Sequence, residues 1–524
     1  MPTLEWIGKN KVVNHHQEVP FRVLERQYSF DEQGQHTEDN GSENMIIHGD
    51  NLEALKALLP QYEGRVKCIY IDPPYNTGNE GWCYNDNVND PRIQKWLGEV
   101  VGKEGEDLTR HDKWLCMMYP RLMLLQKLLA DDGVIFISID GNELYNLKAI
   151  CDEIFGASCY VSDIAWQRTY STRNDSKGIV NEVEHILVYS KVPEWNPNKL
   201  PRTAEMDSKY KNPDNDRTLW RTDNAFAPGA ATHQGMVYAI QHPFTGKMLY
   251  PSNGACWRYQ QDTMLEIMNG WTHYELKDLH DEKERAHVCG ISPDEVRPDV
   301  KAIVLADSLE VASANAQKVL ERGQWPRFFF TKGGKGGIAR KTYLENVGGR
   351  LPTNFWPFSE TGHTDEAKKE LMAIFNGKAR FDTPKPHRLI EFVLKVAGTK
   401  DALILDSFAG SGTTAHAVLN MNKADGGHRR FILVEMGDYA DTITAERVKR
   451  VIRGYGKDKN AVEGTGGSFS YYELGEPLLL PSGNLNEKVG TEKIRDYIWY
   501  TETKKPLDDH KNGNKYFLGE SNNT

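Results

Sequence analysis

A chain of 524 residues is too long for one compact core, and its length favours roughly two to four domains. Hydrophobic residues make up 39% and charged residues 26%, as in an ordinary water-soluble protein. No apolar run approaches the roughly 20 residues that span a bilayer, and the start MPTLEWIGKN is unlike a signal peptide, so we expect a cytoplasmic protein without membrane segments. The net charge of −10 argues against a chain that coats nucleic acid, but it leaves a local basic groove open.

The first predicted elements form a strand, helix, strand unit. Residues 1–43 are polar and irregular and predict an N-terminal extension that ends in a mobile linker. A buried strand is predicted at 66–71 and another at 133–140, and between them apolar side chains from Trp114 to Leu129 recur every three or four residues, which indicates a helix. Such a unit implies parallel strands in one sheet.

The middle of the chain has a different character, and the alternation returns after it. Residues 166–379 are rich in Gly, Pro, Asn and aromatic residues, with short predicted strands such as 185–189. A helix at 388–396 that ends at Gly398, a strand at 402–408, a helix from about Gly412 and a strand at 430–436 follow. We therefore expect a discontinuous α/β domain from 44–165 and 380–465, an inserted α+β target recognition domain at 166–379, and a C-terminal segment at 466–524.

The motif Asp72-Pro73-Pro74-Tyr75 directly follows the first predicted strand. Two prolines lock φ and make the loop rigid. Methylation of an exocyclic amine needs such a loop, because the nitrogen lone pair is delocalised into the ring and must be drawn out by acceptors on its two N–H bonds. The Asp72 carboxylate and the Pro73 carbonyl are candidate acceptors, and the Tyr75 ring is a candidate platform for a flipped base. A plain turn after a strand is the alternative interpretation.

A second motif, DSFAGSGTTA at 406–415, runs from a strand through glycines into a helix. Gly410 and Gly412 allow close approach of the backbone to a ligand, and Glu435 ends the next strand, where an acid can bind ribose hydroxyls. This pattern alone does not distinguish a nicotinamide dinucleotide from S-adenosylmethionine. The Asp72 loop decides between them, since a dehydrogenase has no use for it.

Together, IDPPYNTG and FAGSGTT resemble the catalytic and cofactor loops of the amino-methyltransferases of DNA. The order of catalytic loop, recognition segment and cofactor loop resembles the β group, and most closely the modification (Mod) subunits of type III restriction-modification systems. The similarity extends over IHGDNLEALKALLP, HDKWLCMMYPRLMLLQKLLADDGVIFISIDGNE and FDTPKPHRLIEFVLKVAG, covers roughly 44–500, and is weakest in the middle. It implies a Rossmann-like, S-adenosylmethionine-dependent methyltransferase fold with a mixed, mostly parallel sheet.

The resemblance also implies residue roles. Asp50 and Lys385 are further candidates for the cofactor site, although Asp50 could be only a helix N-cap with Glu53 completing a capping box, and Lys385 only a solvated turn. Seven cysteines without a C-x-x-C pair give no sign of a metal site. The roles implied are catalysis by Asp72, Pro73, Pro74 and Tyr75, and S-adenosylmethionine contacts by Asp72, Phe408, Gly410, Gly412 and Glu435.

A basic stretch at 322–350, interleaved with aromatic residues, is the candidate DNA contact. Lys332, Lys335, Arg340 and Lys341 on a flexible, glycine-rich loop suit contacts to phosphates, and a solvated loop beside a small aromatic core is the alternative. The segment 220–259 resembles a hairpin with aromatic support, and only its position assigns it to target recognition.

Several functions stay open at this point. We expect methylation of adenine N6 in double-stranded DNA by base flipping, because in the family that the chain resembles an Asp at the start of the catalytic loop more often accompanies adenine. Cytosine N4 is the alternative. A solitary methyltransferase is an alternative to a modification subunit with a separate helicase-nuclease restriction subunit. A non-enzymatic DNA-binding subunit would be expected to lose Asp72 or the glycine turn. The resemblance implies a homodimer, and since such subunits usually continue beyond the segment that closes this chain, it leaves a truncated C-terminus open.

Overall fold

The computed structural model describes residues 3–77, 106–170, 179–378, 380–480, 482–504, 507 and 517–518, with 106–109 described by their backbone. The chain divides into two compact units, one formed by Met1–Asn198 with Leu351–Thr524 and the other by Lys199–Arg350. Among the described residues, no helix is both long enough and apolar enough to cross a bilayer. Six cysteines are buried free thiols, and Cys83 lies outside the described residues.

The first unit is built on one eleven-stranded sheet. Its strands are β1 Arg22–Phe30, β2 Gln35–His36, β3 Met45–His48, β4 Val66–Ile71, β5 Leu129–Ile139, β6 Tyr160–Gln167, β7 Val183–Ser190, β8 Phe355–Trp356, β9 Leu403–Asp406, β10 Arg430–Glu435 and β11 Phe469–Pro477. Their order across the sheet is β8-β6-β7-β5-β4-β9-β10-β3-β11-β1-β2. All neighbours from β5 to β11 are parallel, and β6, β7, β1 and β2 add antiparallel pairs. The expected α/β fold with a mixed, mostly parallel sheet is confirmed.

Helices pack against this sheet. The longer ones are α1 Asn51–Tyr62, α2 Glu106–Leu128, α3 Leu144–Phe155, α4 Thr364–Ile374, α5 His387–Ala397, α6 Thr413–Asp425, α7 Glu446–Arg453 and α8 Thr491–Thr503, and the shorter ones are Lys9–Val12, His15–Glu18, Phe358–Thr361 and the π-helix Ala440–Ala445. A small hairpin pairs Gly454–Tyr455 with Val462–Glu463. The main core joins the apolar faces of α1, α2 and α3 to buried strand residues such as Ile69, Ile135 and Leu405.

The elements around the two motifs are those that the sequence predicts. The strand at 66–71 is β4, α2 carries the predicted apolar face and continues through Pro120, and α5 ends at Ala397 with Gly398 as its C-cap. Gly412 is the N-cap of α6. Local periodicity was sufficient here because each element buries an uninterrupted apolar face.

The predicted irregularity of the first 43 residues is wrong for 22–30. These residues form β1, which pairs antiparallel with β11, a strand within the predicted C-terminal segment. Val23, Tyr28 and Phe30 are buried while Glu25 and Gln27 are exposed, so β1 has one polar face that disguises the strand. Both chain ends therefore extend the sheet, and the first unit is larger than the predicted discontinuous domain.

The second unit, Lys199–Arg350, is also narrower than the predicted 166–379 segment, because β7, β8 and α4 belong to the first unit. Its own core is aromatic, with Trp220, Trp257, Trp271 and Phe328 buried together. The predicted hairpin exists, since Ile240–Gln241 pairs with Met248–Leu249. Its other strands are Trp220–Asp223, Phe226–Pro228, Ala255–Trp257, Tyr274–Lys277, Ala302–Leu305, Phe328–Phe330 and Ile338–Tyr343, and its helices are Ala204–Asp207, Gln261–Met268, Glu282–Cys289 and Leu309–Arg322. Thr331–Gly334 is a turn in which Lys332 and Gly333 have positive φ.

Sheet topology brings both motifs to one edge of the first unit. β5, β4, β9 and β10 are parallel neighbours, so the residues that follow them meet at the carboxyl edge of the sheet. β7 runs antiparallel to β5, with His185 opposite Ile139, which places the start of β7 at the same edge. Residues from five strands thus converge where ligands bind in open α/β sheets.

Candidate active site

A cavity of about 790 Å³ opens at this edge of the sheet. It is lined by the loop after β4, the glycine-rich loop after β9 and the segment 380–385 before α5. Asp140, Arg168 and Glu184 close it from the β5, β6 and β7 side. Its volume lies in the range of sites that enclose a small molecule, and both sequence motifs contribute to its wall.

Asp72 stands at the end of β4, and only one of its two carboxylate oxygens is bound. Lys385 Nζ donates to Asp72 Oδ2 at 2.6 Å, whereas Oδ1 is enclosed and lacks a hydrogen-bond partner within the described ranges. Burial raises the pKa of Asp72, and the Lys385 ammonium opposes that shift. An enclosed acceptor without a donor costs about 1–3 kcal/mol. The Tyr75 hydroxyl, which donates to Glu184, also lies close enough to Asp72 to oppose the rise of its pKa. Among the described residues no group donates to Asp72 Oδ1, so this oxygen can accept from a bound ligand.

The rest of the loop is fixed by its surroundings. Trp114 Nε1 donates to the carbonyl of Pro74 at 2.7 Å, and Asn76, at φ 57, donates its amide to the buried Glu143 carboxylate. The Tyr75 hydroxyl donates to Glu184 Oε2 at 3.0 Å. Together with the two prolines, these contacts hold the loop in one conformation, as the sequence predicts for a rigid catalytic loop.

Glu184 links this loop to two cations. Arg168 donates to Glu184 Oε1 at 2.9 Å, and Lys385 Nζ lies 3.7 Å from Glu184 Oε2. Burial would lower the pKa of Lys385, but the carboxylates of Asp72 and Glu184 outweigh it, so the pKa of Lys385 is raised. The Lys385 ammonium also lies 5.0 Å from the centre of the Tyr75 ring. Asp72, Lys385, Glu184 and Arg168 form a chain of alternating charge, referred to below as the charge chain.

The glycine-rich loop needs its glycines for geometric reasons. Gly410 and Gly412 have φ values of 52 and 81, a region that other residues adopt at a cost. A Cβ at Gly410 would lie 3.3 Å from Cζ of Phe381, and one at Gly412 would lie 3.0 Å from the carbonyl of Thr444. Phe381 and Tyr439 pack edge to face beside the loop, with ring centres 5.7 Å apart, and both line the cavity. The loop therefore presents bare backbone next to an aromatic wall.

Two buried acids fix the shape of this loop. The N–H groups of Gly410 and Gly437 donate to the two oxygens of Glu435 at 2.7 and 2.8 Å. Asp406 accepts from the N–H of Phe408 at 3.1 Å and from the Thr414 hydroxyl at 2.5 Å. Burial raises the pKa of Glu435 and raises that of Asp406 to about 7. Both carboxylates therefore hold the backbone of this loop by hydrogen bonds. A contact between Glu435 and the ribose of a cofactor stays a prediction.

A family model described as DNA methylase matches residues 66–446. The chain belongs to this DNA methylase family. The type III restriction-modification enzyme StyLTI Mod subunit of Salmonella typhimurium is 32% identical over 79% of this chain and 58% of its own length, and the EcoP15I Mod subunit of Escherichia coli is 28% identical over 83% and 64%. The chain thus spans less than two thirds of these relatives. A solved PvuII DNA methyltransferase (cytosine-N4-specific) matches with a TM-score of 0.35 and 12% identity, over 80% of this chain and 88% of that one.

The two further cofactor candidates of the methylase lie in different settings. Asp50 is the N-cap of α1, accepting from the N–H groups of Leu52 and Glu53 at 2.7 and 3.4 Å. The Glu53 carboxylate pairs with Arg22 at 2.9 Å rather than completing a capping box. Lys385 is not a solvated turn, because only 12% of its side chain is exposed and its ammonium faces the cavity acids.

The four predicted DNA contacts of the methylase divide into two pairs. Lys332 and Lys335 are exposed on the turn between the strands Phe328–Phe330 and Ile338–Tyr343. Arg340 pairs with Asp223 at 2.5 Å. Lys341 is fully buried, with Asp214 and Asp216 at 2.5 and 2.6 Å, which contradicts the expectation that it contacts phosphate. The predicted loop thus continues into the strand Ile338–Tyr343, in which two acids of the same unit neutralise the buried Lys341 ammonium.

A cluster beneath the glycine-rich loop escaped the sequence prediction. Arg447 on α7 is buried and donates to the hydroxyls of Ser411 and Thr413 at 2.9 and 2.7 Å. Glu370, His387 and His416 come close enough together to hold a metal ion. The Arg447 guanidinium lies 3.1 Å from His416 Nδ1 and 3.6 Å from Glu370, however, so two of these three groups already interact with a cationic side chain. No local signal marks these residues, because they are brought together from α4, α5, α6 and α7.

Proposed function

We propose that this methylase transfers a methyl group from S-adenosylmethionine to the exocyclic amino group of a DNA base, adenine N6, in double-stranded DNA. One observation carries the proposal: among the described residues no group donates to the enclosed Oδ1 of Asp72, at the wall of a cavity that the glycine-rich loop also lines. An amino group is a donor from which this oxygen can accept a hydrogen bond. The membership of the chain in the DNA methylase family supports the same conclusion.

The residues at the glycine-rich loop fit S-adenosylmethionine. A Cβ at Gly410 would crowd Phe381, so the cavity wall there is backbone that a ligand can approach closely. Phe408 and Gly410, which line the cavity, would hold the cofactor beside the Phe381 and Tyr439 rings. Gly412, where a Cβ would meet Thr444, and Glu435 would keep the loop in shape. When bound, the cofactor supplies an electrophilic methyl group on a sulfonium.

The protein's own groups would then activate the nucleophile. Asp72 Oδ1 would accept one N–H of the target amino group, and the Pro73 carbonyl would accept the other, which draws the nitrogen lone pair out of the ring. Tyr75 would stack on the flipped base, and base-aromatic stacking is worth about 1–3 kcal/mol, comparable with the cost of flipping. Asp72 would take the proton that leaves the amino nitrogen after transfer. Lys385 acts in this proposal by holding Asp72 rather than by binding the cofactor.

The relatives suggest the biological setting. The relatives from Salmonella typhimurium and Escherichia coli are Mod subunits of type III restriction-modification enzymes. We propose the same role here, with a separate restriction subunit and a homodimer as partners. The exposed Lys332 and Lys335 are proposed phosphate contacts, and each would contribute about 0.9 to the slope of log affinity against log salt.

The test is sequencing of genomic DNA from a methylation-free host that expresses the chain. Asp72→Ala is the inactive variant, and Asp131→Asn, at an exposed carboxylate in the same sheet, is the matched control. We expect N6-methyladenine at one defined sequence in the wild type and in Asp131→Asn, and none in Asp72→Ala. Detection of N4-methylcytosine instead would change the proposed target base from adenine to cytosine. An undiminished mark in Asp72→Ala would refute the mechanism.

A further inference from the structure

We propose that Glu184 is a positioning residue for methyl transfer, which orients the Tyr75 ring and restrains Lys385 so that Asp72 keeps one oxygen free for the target amino group. This inference rests on the proposed function. Glu184 lies near the start of β7, about 110 residues from the catalytic loop in sequence. No recognised sequence motif includes it.

The contacts of Glu184 assign each of its oxygens a separate task. Oε2 accepts from the Tyr75 hydroxyl at 3.0 Å and faces Lys385 Nζ at 3.7 Å, and Oε1 accepts from Arg168 at 2.9 Å. Its side chain is only 8% exposed. A buried carboxylate with both oxygens engaged is held in one orientation, and it transmits that orientation to the ring that would stack on the base.

The same carboxylate sets how strongly Lys385 holds Asp72. Lys385 Nζ binds Asp72 Oδ2 at 2.6 Å and is drawn in the opposite direction by Glu184. Lys385 and Arg168 carry two positive charges, and Asp72 and Glu184 carry two negative charges, so the charge chain is neutral. Removal of the Glu184 charge would leave Asp72 alone against two cations, which makes it a weaker acceptor for the amino group.

The pH dependence of the rate separates a positioning role from a role in folding alone, because a loss of stability lowers the amount of active protein without moving the acid limb of its pH-rate profile. The charged and titratable groups around Asp72 are Lys385 before α5, Glu184 on β7, Tyr75 in its own loop, Tyr70 on β4 and Asp406 on β9. Glu184 raises the pKa of Asp72 and Lys385 lowers it. Loss of Glu184 should therefore move the acid side of the pH-rate profile to lower pH.

The experiment measures single-turnover methyl transfer from tritiated S-adenosylmethionine to unmethylated genomic DNA between pH 5 and 9, with both substrates saturating. The variants are Glu184→Gln, Glu184→Asp and, as the matched control, Glu194→Gln at an exposed site just beyond β7. We expect Glu184→Gln to be about 10- to 100-fold slower, as small misplacements of reacting groups are, with its acid limb at lower pH. Glu184→Asp keeps the charge but not the reach, so its rate should be intermediate and its acid limb that of the wild type.

Each result either supports or overturns the positioning role of Glu184. Glu184→Gln with the wild-type rate, or slower with an unchanged acid limb, would overturn the positioning role while the wild-type activity leaves the proposed function intact. If Glu184→Gln does not fold, a Glu184→Asp variant with the wild-type rate would overturn it as well. Absence of methyl transfer by the wild-type protein would overturn both the proposed function and this inference.

Discussion

Replacement of Lys385 by methionine should impair methyl transfer, because it removes the ammonium that binds Asp72, with little loss of side-chain volume. Removing one partner of a buried ion pair costs about 3–5 kcal/mol. Since Asp72 is 25% exposed, we take the lower end of this range of costs, about 3 kcal/mol. At about 1.4 kcal/mol per factor of ten, a loss of about 3 kcal/mol in the stabilisation of the charged Asp72 carboxylate corresponds to a methyl-transfer rate about 100-fold lower at pH 7.

The pH dependence gives the sign of this effect. Burial already raises the pKa of Asp72, and loss of the Lys385 ammonium raises it further, with Glu184 left facing it as a second carboxylate. A carboxylate that must be charged to accept an N–H is inactive below its pKa and recovers as pH rises. Lys385→Met should therefore be slow at pH 7 and recover at higher pH, which is the opposite of the shift expected for Glu184→Gln.

The assay is the same single-turnover measurement, with Lys395→Met on the exposed face of α5 as the control. Binding of S-adenosylmethionine, measured by calorimetry, should change little, because Lys385 acts on Asp72. A Lys385→Met rate within about threefold of the wild type at pH 7, or an acid limb that does not move, would refute the reasoning. A rate loss that parallels weaker cofactor binding would return Lys385 to the cofactor site.

The other predictions concern the glycine-rich loop and the DNA contact. Gly410→Ala should weaken binding of S-adenosylmethionine at least tenfold by calorimetry, since its Cβ crowds Phe381 and its φ of 52 disfavours alanine. The pKa of Asp406 is raised to about 7, so its ionisation lowers the free energy of unfolding as pH rises from 4 to 8. Asp406→Asn should remove up to about 4 kcal/mol of that pH-dependent loss, measured by urea unfolding at pH 8. An unchanged pH dependence of the unfolding free energy would contradict this prediction. The double variant Lys332→Gln, Lys335→Gln should lower the salt slope of DNA binding by about 2, and an unchanged slope would exclude both contacts.

The catalytic and cofactor loops were predictable because their signals are local. Asp72 and Gly410 each follow a short apolar strand, and parallel strands bring their carboxyl ends to one edge without any knowledge of the partners. The charge chain was not predictable. Arg168, directly after β6, and Glu184, on β7, both fall within 166–379, which the sequence assigned to the recognition domain because this stretch is rich in polar and aromatic residues. Only antiparallel pairing of β7 with β5 brings them to the cavity.

The same difference between local and non-local signals explains why some basic residues of 322–350 are exposed and others are buried. Lys335 and Lys341 stand six residues apart in one run of basic and glycine residues, and by composition they are equivalent. Lys341 points into the core of the second unit, where Asp214 and Asp216, over 120 residues away in sequence, bind its ammonium. Lys335 remains exposed. A basic composition thus predicts where nucleic acid could bind, but non-local acids decide which cations are left to bind it, and those partners are fixed by the fold rather than by the local sequence.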